Sequence, residues 1–392
     1  MSIYITSVGV ISAIGLNVEE NYRSLKNKKT GIAPIKFLDL NKNILAGEVK
    51  LSNEDLIERL NVSSPISRTS LLGLAAAKEA WKGHQHNDAI RTGLISATSV
   101  GGMDNTEKYY KQRLETESPD ISLVTTHDSG NTTERIAKAL GISGYINTLS
   151  TACSSGANAI MLGARLMQQN KLDRVLVGGS DSFTHFTEEG FRSLMIYSDE
   201  WVKPFDENRD GLNLGEGGGF LVLENDKSLA ITNNKPLATL AGWANTADAY
   251  HQTASSPDGK GATLAISNAL KKGSINPSKV SYVNAHGTGT PNNDLSESVA
   301  LINVFKDNVP PFSSTKAYTG HTLAASGAIE AVYSILALQH NVIFPNLNFS
   351  TPITDTKLVP VVNLNKEQEV NIVLSNSFGF GGNNSTVIFK KA

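Results

Sequence analysis

Apolar and polar positions along the chain alternate between short β-rich runs and longer segments whose apolar residues recur every three or four positions. The run IYITSVGVIS predicts a buried strand, whereas residues 66–82 combine strong helix formers with the apolar spacing of a helix. Near the other end, NIVLSNSFGFGGNNSTVIFKK predicts two strands joined by a glycine turn. Strands and helices in such alternation predict an α/β fold.

The polar stretch 226–236 separates two parts that show the same alternation of elements, although no repeat is visible residue by residue. With 392 residues the chain is long for a single ordinary core. We therefore predict two halves, residues 1–232 and residues 233–392.

Composition and charge narrow the classes of function. Lysine and arginine (35) nearly balance aspartate and glutamate (37). The chain therefore has no excess of basic residues that would indicate a nucleic acid partner. No run of 18 apolar residues occurs, so the sequence predicts no membrane span. The single cysteine excludes an intramolecular disulfide and favours a cytoplasmic location.

That cysteine, Cys153, lies where a predicted strand (INTLSTAC) passes into a predicted helix (SSGANAIMLGARLMQQN). A lone cysteine is more often a small buried apolar residue than a nucleophile. At a helix N-terminus, however, free backbone N–H groups and the helix dipole favour a thiolate and lower the pKa of the thiol. The small neighbours of Cys153 also leave room for an acyl group, so we treat it as a candidate nucleophile.

Two of the eight histidines, His286 and His321, stand beside glycines in AHGTGT and TGHT. Glycine lets a backbone approach a ligand closely and adopt unusual dihedral angles. The segment TGHTLAASGAIEAVYSILALQHN predicts a long helix with His321 in its first turn. There is no HExxH motif and no paired-cysteine cluster, so the sequence indicates no metal site.

Four strings carry a resemblance to a known family: STACSSGANA, NAHGTGTPNND, STKAYTGH and NSFGFGGNN. Their order and spacing resemble the signatures of the elongating (type I/II) β-ketoacyl-(acyl carrier protein) synthases of the thiolase superfamily, and further matches run along nearly the whole chain. The resemblance implies a thiolase-like, five-layered αβαβα fold of two similar halves. It also implies that Cys153, His286 and His321 converge where the halves meet.

The resemblance implies a role for each matching position. Cys153 would carry the acyl chain, and His286 and His321 would contact a malonyl thioester. The other implied roles are orientation of the histidines by Lys316 and Glu330, support from the acidic pair Asp294 and Glu297, hydrogen bonds to a pantetheine arm from Thr288 and Thr290, and an oxyanion hole and gate formed by Phe380 with Cys153 and supported by Phe378. Asn383 and Ser326 depart from the family pattern, which more often has threonine at the first position and continues an alanine–glycine run at the second.

The implied reaction is that of an acyltransferase: a decarboxylative Claisen condensation of malonyl-acyl carrier protein with the acyl group on Cys153. It requires no cofactor beyond the phosphopantetheine arm that carries the substrate. The implied partners are an acidic acyl carrier protein, for which we expect a basic rim at the site entrance, and a second subunit in a dimer. Candidates for the acyl pocket are Ile160, Phe191 and Met195.

Related classes fit less well. A thiolase needs a second cysteine, initiating synthases carry asparagine where this chain has His321, and a chain-length factor lacks the nucleophile. Two questions stay open at this point. The chain could form a homodimer or pair with a chain-length-factor-like subunit, and it could serve fatty acid elongation or a specialised polyketide or aryl polyene pathway.

Overall fold

The computed structural model describes residues 2–40, 42–365 and 368–392. The first half contains strands β1 (Ile3–Ser12), β2 (Ala33–Pro34), β3 (Leu45–Ala46), β4 (Thr92–Ala97), β5 (Tyr145–Leu149), β6 (Arg174–Asp181) and β7 (Gly217–Asn225), and helices α1 (Val18–Lys26), α2 (Asn53–Leu60), α3 (Arg68–Ala80), α4 (Met103–Glu115), α5 (Ser129–Leu140), α6 (Ser155–Gln168), α7 (His185–Ser193) and α8 (Asp226–Thr232). The second half contains strands β8 (Ala238–Ala247), β9 (Tyr282–Asn284), β10 (Phe312–Ser313), β11 (Ile372–Gly379) and β12 (Asn383–Lys391), and helices α9 (Lys260–Lys272), α10 (Pro291–Phe305), α11 (Lys316–Thr319) and α12 (Ser326–His340).

The two halves share one strand order. The first half runs β5-β4-β6-β7-β1 and the second runs β10-β9-β11-β12-β8. In each, three neighbouring strands are parallel and the last two are antiparallel to their neighbours. The half-sheets meet where Tyr4 pairs with Thr239 and Ile5 with Ala238. The chain therefore repeats a topology that the sequence does not show residue by residue.

Helices α6 and α12 lie between the two half-sheets and contact strands of both. Helix α12 is buried continuously from Ser326 to Leu338, as expected for a helix that is apolar on all sides. The two helices approach so closely at Gly156 that a Cβ there would lie 2.6 Å from the backbone nitrogen of Ala328. Helices α3 and α5 cover the outer face of the first half-sheet, and α9 that of the second, with α10 packed on α9. This is the predicted five-layered αβαβα arrangement.

Most predicted elements are present, and two differences are informative. Helices α4, α7 and α10 were not predicted from the pattern. The polar stretch 226–236 is not a simple linker, because α8 occupies its first part and ends at Thr232, where Asn233 adopts a left-handed conformation. The division of the chain at 232/233 stays a prediction. None of the helices in the described part of the chain combines the length and apolarity that a bilayer crossing requires.

Candidate active site

Cys153 lies in the sharp turn between β5 and α6. The residue before it, Ala152, has a φ of +52°, a left-handed conformation that a residue with a side chain adopts at a cost of about 1–3 kcal/mol. Two hydroxyl contacts hold the turn: the backbone N–H of Thr151 donates to Ser155 Oγ at 2.7 Å, and Ser154 Oγ donates to the carbonyl of Thr151 at 2.7 Å. Cys153 is thereby fixed at the start of a helix, only 5% exposed.

The electrostatic environment of Cys153 differs from the sequence-based expectation. Burial raises the pKa of its thiol to about 11, although the Lys316 charge and the backbone N–H groups of Phe380 and Cys153 lower it. The loss of hydration outweighs the favourable start of the helix. The resting side chain is therefore a neutral thiol.

The glycine turn between β11 and β12 packs directly on the cysteine turn. A Cβ at Gly379 would lie 3.1 Å from both the nitrogen of Cys153 and the carbonyl oxygen of Thr151, so only glycine fits there without displacing backbone. The next residue, Phe380, stacks on Phe191 of α7 with ring centroids 5.5 Å apart. The backbone N–H of Phe380 lies within hydrogen-bonding reach of the sulfur of Cys153.

His286 follows β9 and is held from two sides. Its backbone N–H donates to Glu297 Oε1 at 2.9 Å, and the N–H of Gly287 donates to Oε2 at 2.8 Å. Its ring nitrogen Nδ1 lies 3.2 Å from the Nζ of Lys316. An ammonium group can only donate, so Nδ1 accepts and the ring proton resides on Nε2.

Lys316 is a buried cation paired with a buried anion. Its Nζ donates to the carbonyl oxygen of His286 at 2.6 Å and to Glu330 Oε1. Both side chains are at most 4% exposed. Burial raises the pKa of Glu330, and the adjacent Lys316 charge lowers it. Glu330 therefore provides the counter-charge for the cation that orients His286.

His321 is not in the first turn of a helix, contrary to the prediction. Gly320 (φ +71°) and Leu323 (φ +51°) are both left-handed, so the regular helix α12 begins only at Ser326. The backbone of His321 is extended and donates to the carbonyl of Asn213 at 2.8 Å. Its Nδ1 accepts from the backbone N–H of Leu323 at 3.2 Å, which also leaves the proton on Nε2.

The two imidazole rings lie at right angles, with centroids 5.4 Å apart. Burial lowers the pKa of both histidines well below the usual value, and the Lys316 charge lowers it further. Each ring is therefore neutral and presents one Nε2–H donor.

A cavity of about 320 Å³ brings the predicted residues together. Its walls include Cys153, His286, His321, Thr288, Thr290, Phe378 and Phe380, together with Phe191 and Met195. Ile160, the third acyl-pocket candidate, instead lies in the apolar core and does not line this cavity. Within the described residues no group of three or more His, Cys, Asp or Glu side chains is placed to hold a metal ion.

The expected basic rim is not formed by the residues that line the cavity. Apart from the histidines, the charged residue among them is Asp210. Its neighbour Arg209 turns towards the backbone and donates to the carbonyl oxygens of Thr290 and Pro291. That arginine therefore stabilises a wall of the cavity.

Asp294 stabilises the glycine loop that follows His286. Two further supporting residues, Asp181 and Asn376, were not predicted from the sequence. Asp294 accepts from the backbone N–H groups of Phe205 (2.7 Å) and Gly289 (3.1 Å). Asp181, at the end of β6, accepts from the N–H of Ala324 at 2.8 Å and so fixes the segment after His321. Asn376 on β11 donates to Glu297 Oε1 at 2.9 Å. Asn376 is the first residue of the string NSFGFGGNN, but neither Asn376 nor Asp181 carries a local sequence signal that indicates its partner.

The departure at Asn383 is accommodated by hydrogen bonds. Its side-chain oxygen accepts from Asn158 Nδ2 (3.0 Å) and from Asn245 Nδ2 (2.6 Å), and it lies 2.7 Å from Ser154 Oγ, whose single proton it shares with the carbonyl of Thr151. Asn383 therefore ties the glycine turn to the start of α6, beside the cysteine.

Two family models match the chain, one in each half. The model described as "Beta-ketoacyl synthase, N-terminal domain" matches residues 1–228, and that described as "Beta-ketoacyl synthase, C-terminal domain" matches residues 237–350. Together they cover most of the chain.

Similar proteins match over nearly the full length. A 3-oxoacyl-[acyl-carrier-protein] synthase 2 from Staphylococcus aureus (strain COL) is 34% identical over 406 aligned positions, which cover 99% of this chain and 98% of that protein. A protein of the same name from Synechocystis sp. is 33% identical, with coverage of 99% and 98%.

Solved structures agree with the fold. A chain of the ishigamide ketosynthase/chain length factor superposes with a TM-score of 0.92 at 29% identity and covers 100% of this chain and 99% of that one. A chain from the structure of a ketosynthase in complex with its chain length factor from Xenorhabdus doucetiae is 32% identical, with a TM-score of 0.85 and coverage of 100% and 98%. The predicted thiolase-like fold is confirmed.

Proposed function

Because the chain belongs to the β-ketoacyl synthase family of acyltransferases, we propose that it condenses malonyl-acyl carrier protein with an acyl group carried on Cys153, with loss of CO₂. One observation carries the assignment of roles. Cys153, His286 and His321 line a single cavity, and both histidines hold their proton on Nε2 because their Nδ1 atoms accept hydrogen bonds.

In the first half-reaction, the sulfur of Cys153 attacks the thioester of acyl-acyl carrier protein. The thiol proton passes to the leaving pantetheine sulfur, so no proton is gained or lost overall. The oxyanion that forms faces the backbone N–H groups of Cys153 and Phe380, which already point at the sulfur.

In the second half-reaction, malonyl-acyl carrier protein enters the same cavity and loses CO₂. The resulting enolate places negative charge on the thioester oxygen, where the Nε2–H groups of His286 and His321 stabilise it. Removing one donor of this kind typically costs about 2.7–4 kcal/mol in the transition state. The enolate carbon attacks the acyl carbonyl on Cys153, and the released thiolate takes up one proton.

We further propose that the reaction needs no cofactor beyond the phosphopantetheine arm of the carrier. Thr288 and Thr290 lie on the cavity wall with their hydroxyl oxygens 2.9 Å apart, so each can also hydrogen-bond an amide of that arm. Met195, which is 88% exposed, provides an apolar lip at the entrance.

The test uses the purified protein with malonyl- and acyl-acyl carrier protein. Mass spectrometry is expected to show an acyl adduct on the peptide containing Cys153 and a β-ketoacyl product on the carrier. Both are expected to disappear in Cys153→Ala. Folded wild-type protein that transfers no acyl group from any chain length, alone or with a partner subunit, would refute the proposal.

A second subunit is part of the proposal, because an edge of the sheet is left open. Strand β5 pairs with β4 on one side only, and its Tyr145 and Ile146 are about 40% and 39% exposed. Unpaired strand edges with apolar side chains invite pairing with another chain. Two of the similar structures contain a ketosynthase with a chain length factor. We propose that the occupant of this edge is either such a subunit or a second copy of the chain.

Sedimentation equilibrium of the purified chain distinguishes these occupants. A homodimer is expected if the chain pairs with itself. A monomer that becomes active only with a chain-length-factor-like subunit would favour a heterodimer in a specialised polyene pathway, and a monomer active by itself would contradict both arrangements.

A further inference from the structure

We propose that Ser326 is a positioning residue for His321, and that its hydroxyl, backed by Thr322, reinforces the tautomer set by the Leu323 N–H, in which the imidazole proton is on Nε2. The inference rests on the proposed function, because it concerns a histidine that is to stabilise the enolate. It adds a side chain that does not itself touch the substrate.

The contacts around Nδ1 define the direction of each hydrogen bond. Ser326 Oγ lies 2.9 Å from His321 Nδ1 and 3.1 Å from Thr322 Oγ1. The backbone N–H of Leu323 points at the same Nδ1 at 3.2 Å. Because a backbone N–H can only donate, Nδ1 carries the lone pair and Ser326 must donate to it. The Thr322 hydroxyl is then free to donate to the oxygen of Ser326.

This arrangement opposes protonation of the ring. A proton on Nδ1 would face the N–H of Leu323, and Ser326 would have to rotate its own proton away. His321 could become an imidazolium only by breaking the contacts that aim its ring. His286 is held in the same tautomer by different means, because its Nδ1 faces the charged Lys316.

The charged and titratable groups around His321 do not replace this contact. His286 presents a ring edge or face at 5.4 Å, and Cys153 shares the cavity. Lys316, paired with Glu330, acts on His321 only through its charge. Asp181 binds the backbone of Ala324, beyond the ring. Among the described residues, Ser326 supplies the side-chain hydrogen bond to the ring of His321.

The experiment compares Ser326→Ala with Ser326→Thr and with Ser334→Ala. Ser334 is a matched control, because it is a buried serine on the same helix whose hydroxyl donates to the carbonyl of Glu330 and not to either histidine. The first readout is decarboxylation of malonyl-acyl carrier protein across pH. We expect Ser326→Ala to lower kcat between about two- and tenfold at pH 7, the range for one neutral hydrogen bond, and to move the acid limb to higher pH.

Two further readouts separate positioning from general damage. The rate of Cys153 alkylation by iodoacetamide is expected to stay unchanged in Ser326→Ala, and Ser326→Thr, which retains the hydroxyl, is expected to recover the wild-type acid limb. Nitrogen NMR of ¹⁵N-histidine-labelled protein reports directly on the ring of His321. It is expected to show an Nε2–H tautomer whose titration midpoint rises in Ser326→Ala.

The outcomes distinguish this inference from the proposed function. An active wild type with the same acid limb and the same His321 titration in Ser326→Ala would refute the role of Ser326 alone. An inactive wild type whose His321 titration still shifts in Ser326→Ala would support the hydrogen bond and refute the proposed function. A loss in Ser334→Ala equal to that in Ser326→Ala would assign the effect to α12 as a whole and overturn the inference.

Discussion

The buried pair of Lys316 and Glu330 gives a prediction whose two single substitutions respond to pH in opposite directions. Removing one partner of a buried ion pair typically costs about 3–5 kcal/mol, because the other charge is left without compensation. Unfolding entropy is about 2.1 cal/mol/K per residue, which for a chain of 392 residues is about 0.8 kcal/mol per degree. Each single substitution, Glu330→Gln or Lys316→Met, is therefore expected to lower Tm by about 4–6 °C.

The sign of the pH dependence follows from which charge remains. In Lys316→Met the lowering effect of the cation is lost, so the already raised pKa of Glu330 rises further. The buried carboxyl is then most stable when protonated. The amount by which the Tm of Lys316→Met lies below that of wild type therefore decreases as pH falls from 9 to 6. In Glu330→Gln the buried ammonium of Lys316 has no counter-charge, so the amount by which the Tm of this variant lies below that of wild type decreases as pH rises. Neither slope can exceed about 1.4 kcal/mol per pH unit for one proton.

The double variant separates stability from orientation of the histidine. Lys316→Met/Glu330→Gln holds no buried charge at this place, so its Tm is expected to recover most of the loss. Its decarboxylation activity is expected to stay low, because the Nδ1 of His286 has lost its donor. Scanning calorimetry at pH 6 and pH 9, with Ser334→Ala as a control, measures all three Tm values. Equal pH trends in the two single variants, or a Tm for Lys316→Met within about 1 °C of wild type at pH 9, would refute the reasoning.

Two other predictions concern the glycine turn and the second histidine. Gly379→Ala places a Cβ 3.1 Å from the backbone of Cys153 and Thr151. We therefore expect acyl transfer to Cys153 to slow at least about tenfold while Tm changes little. An unchanged rate of acyl-enzyme formation, measured by mass spectrometry, would contradict this. Burial lowers the pKa of His321, so the unfolded chain binds an extra proton below about pH 6.5 and wild type loses stability as pH falls. In urea unfolding, His321→Gln is expected to reduce the slope of the free energy of unfolding against pH by up to about 1.4 kcal/mol per pH unit. Equal slopes for wild type and variant would argue against this prediction.

The sequence predicts those elements that depend on the residues of their own segment, such as its apolar spacing and its glycines. The hairpin at the end of the chain, α3 and the strand–turn–helix at Cys153 are all placed by apolar spacing and glycine. Helix α4 escapes because only Asn105 within it is buried, so it carries almost no apolar stripe. His321 is misplaced because the left-handed Leu323 that delays α12 has no side-chain signature; tertiary contacts to Asn213 and Asp181 impose it.

The repeated topology explains why residues so far apart in the chain share one cavity. Helices α6 and α12 occupy equivalent places in the two halves, because each lies in the chain between the first strand of its half-sheet order (β5 or β10) and the third (β6 or β11). Their beginnings touch at Gly156, where a Cβ would lie 2.6 Å from Ala328 N and 2.9 Å from Ala324 O. The segment before one helix carries Cys153 and the segment before the other carries His321, so the contact between the helices fixes the nucleophile against the donor. The backbone packing of two equivalent helices therefore sets the separation between Cys153 and His321. The hydrogen bonds around each of these side chains then determine its orientation.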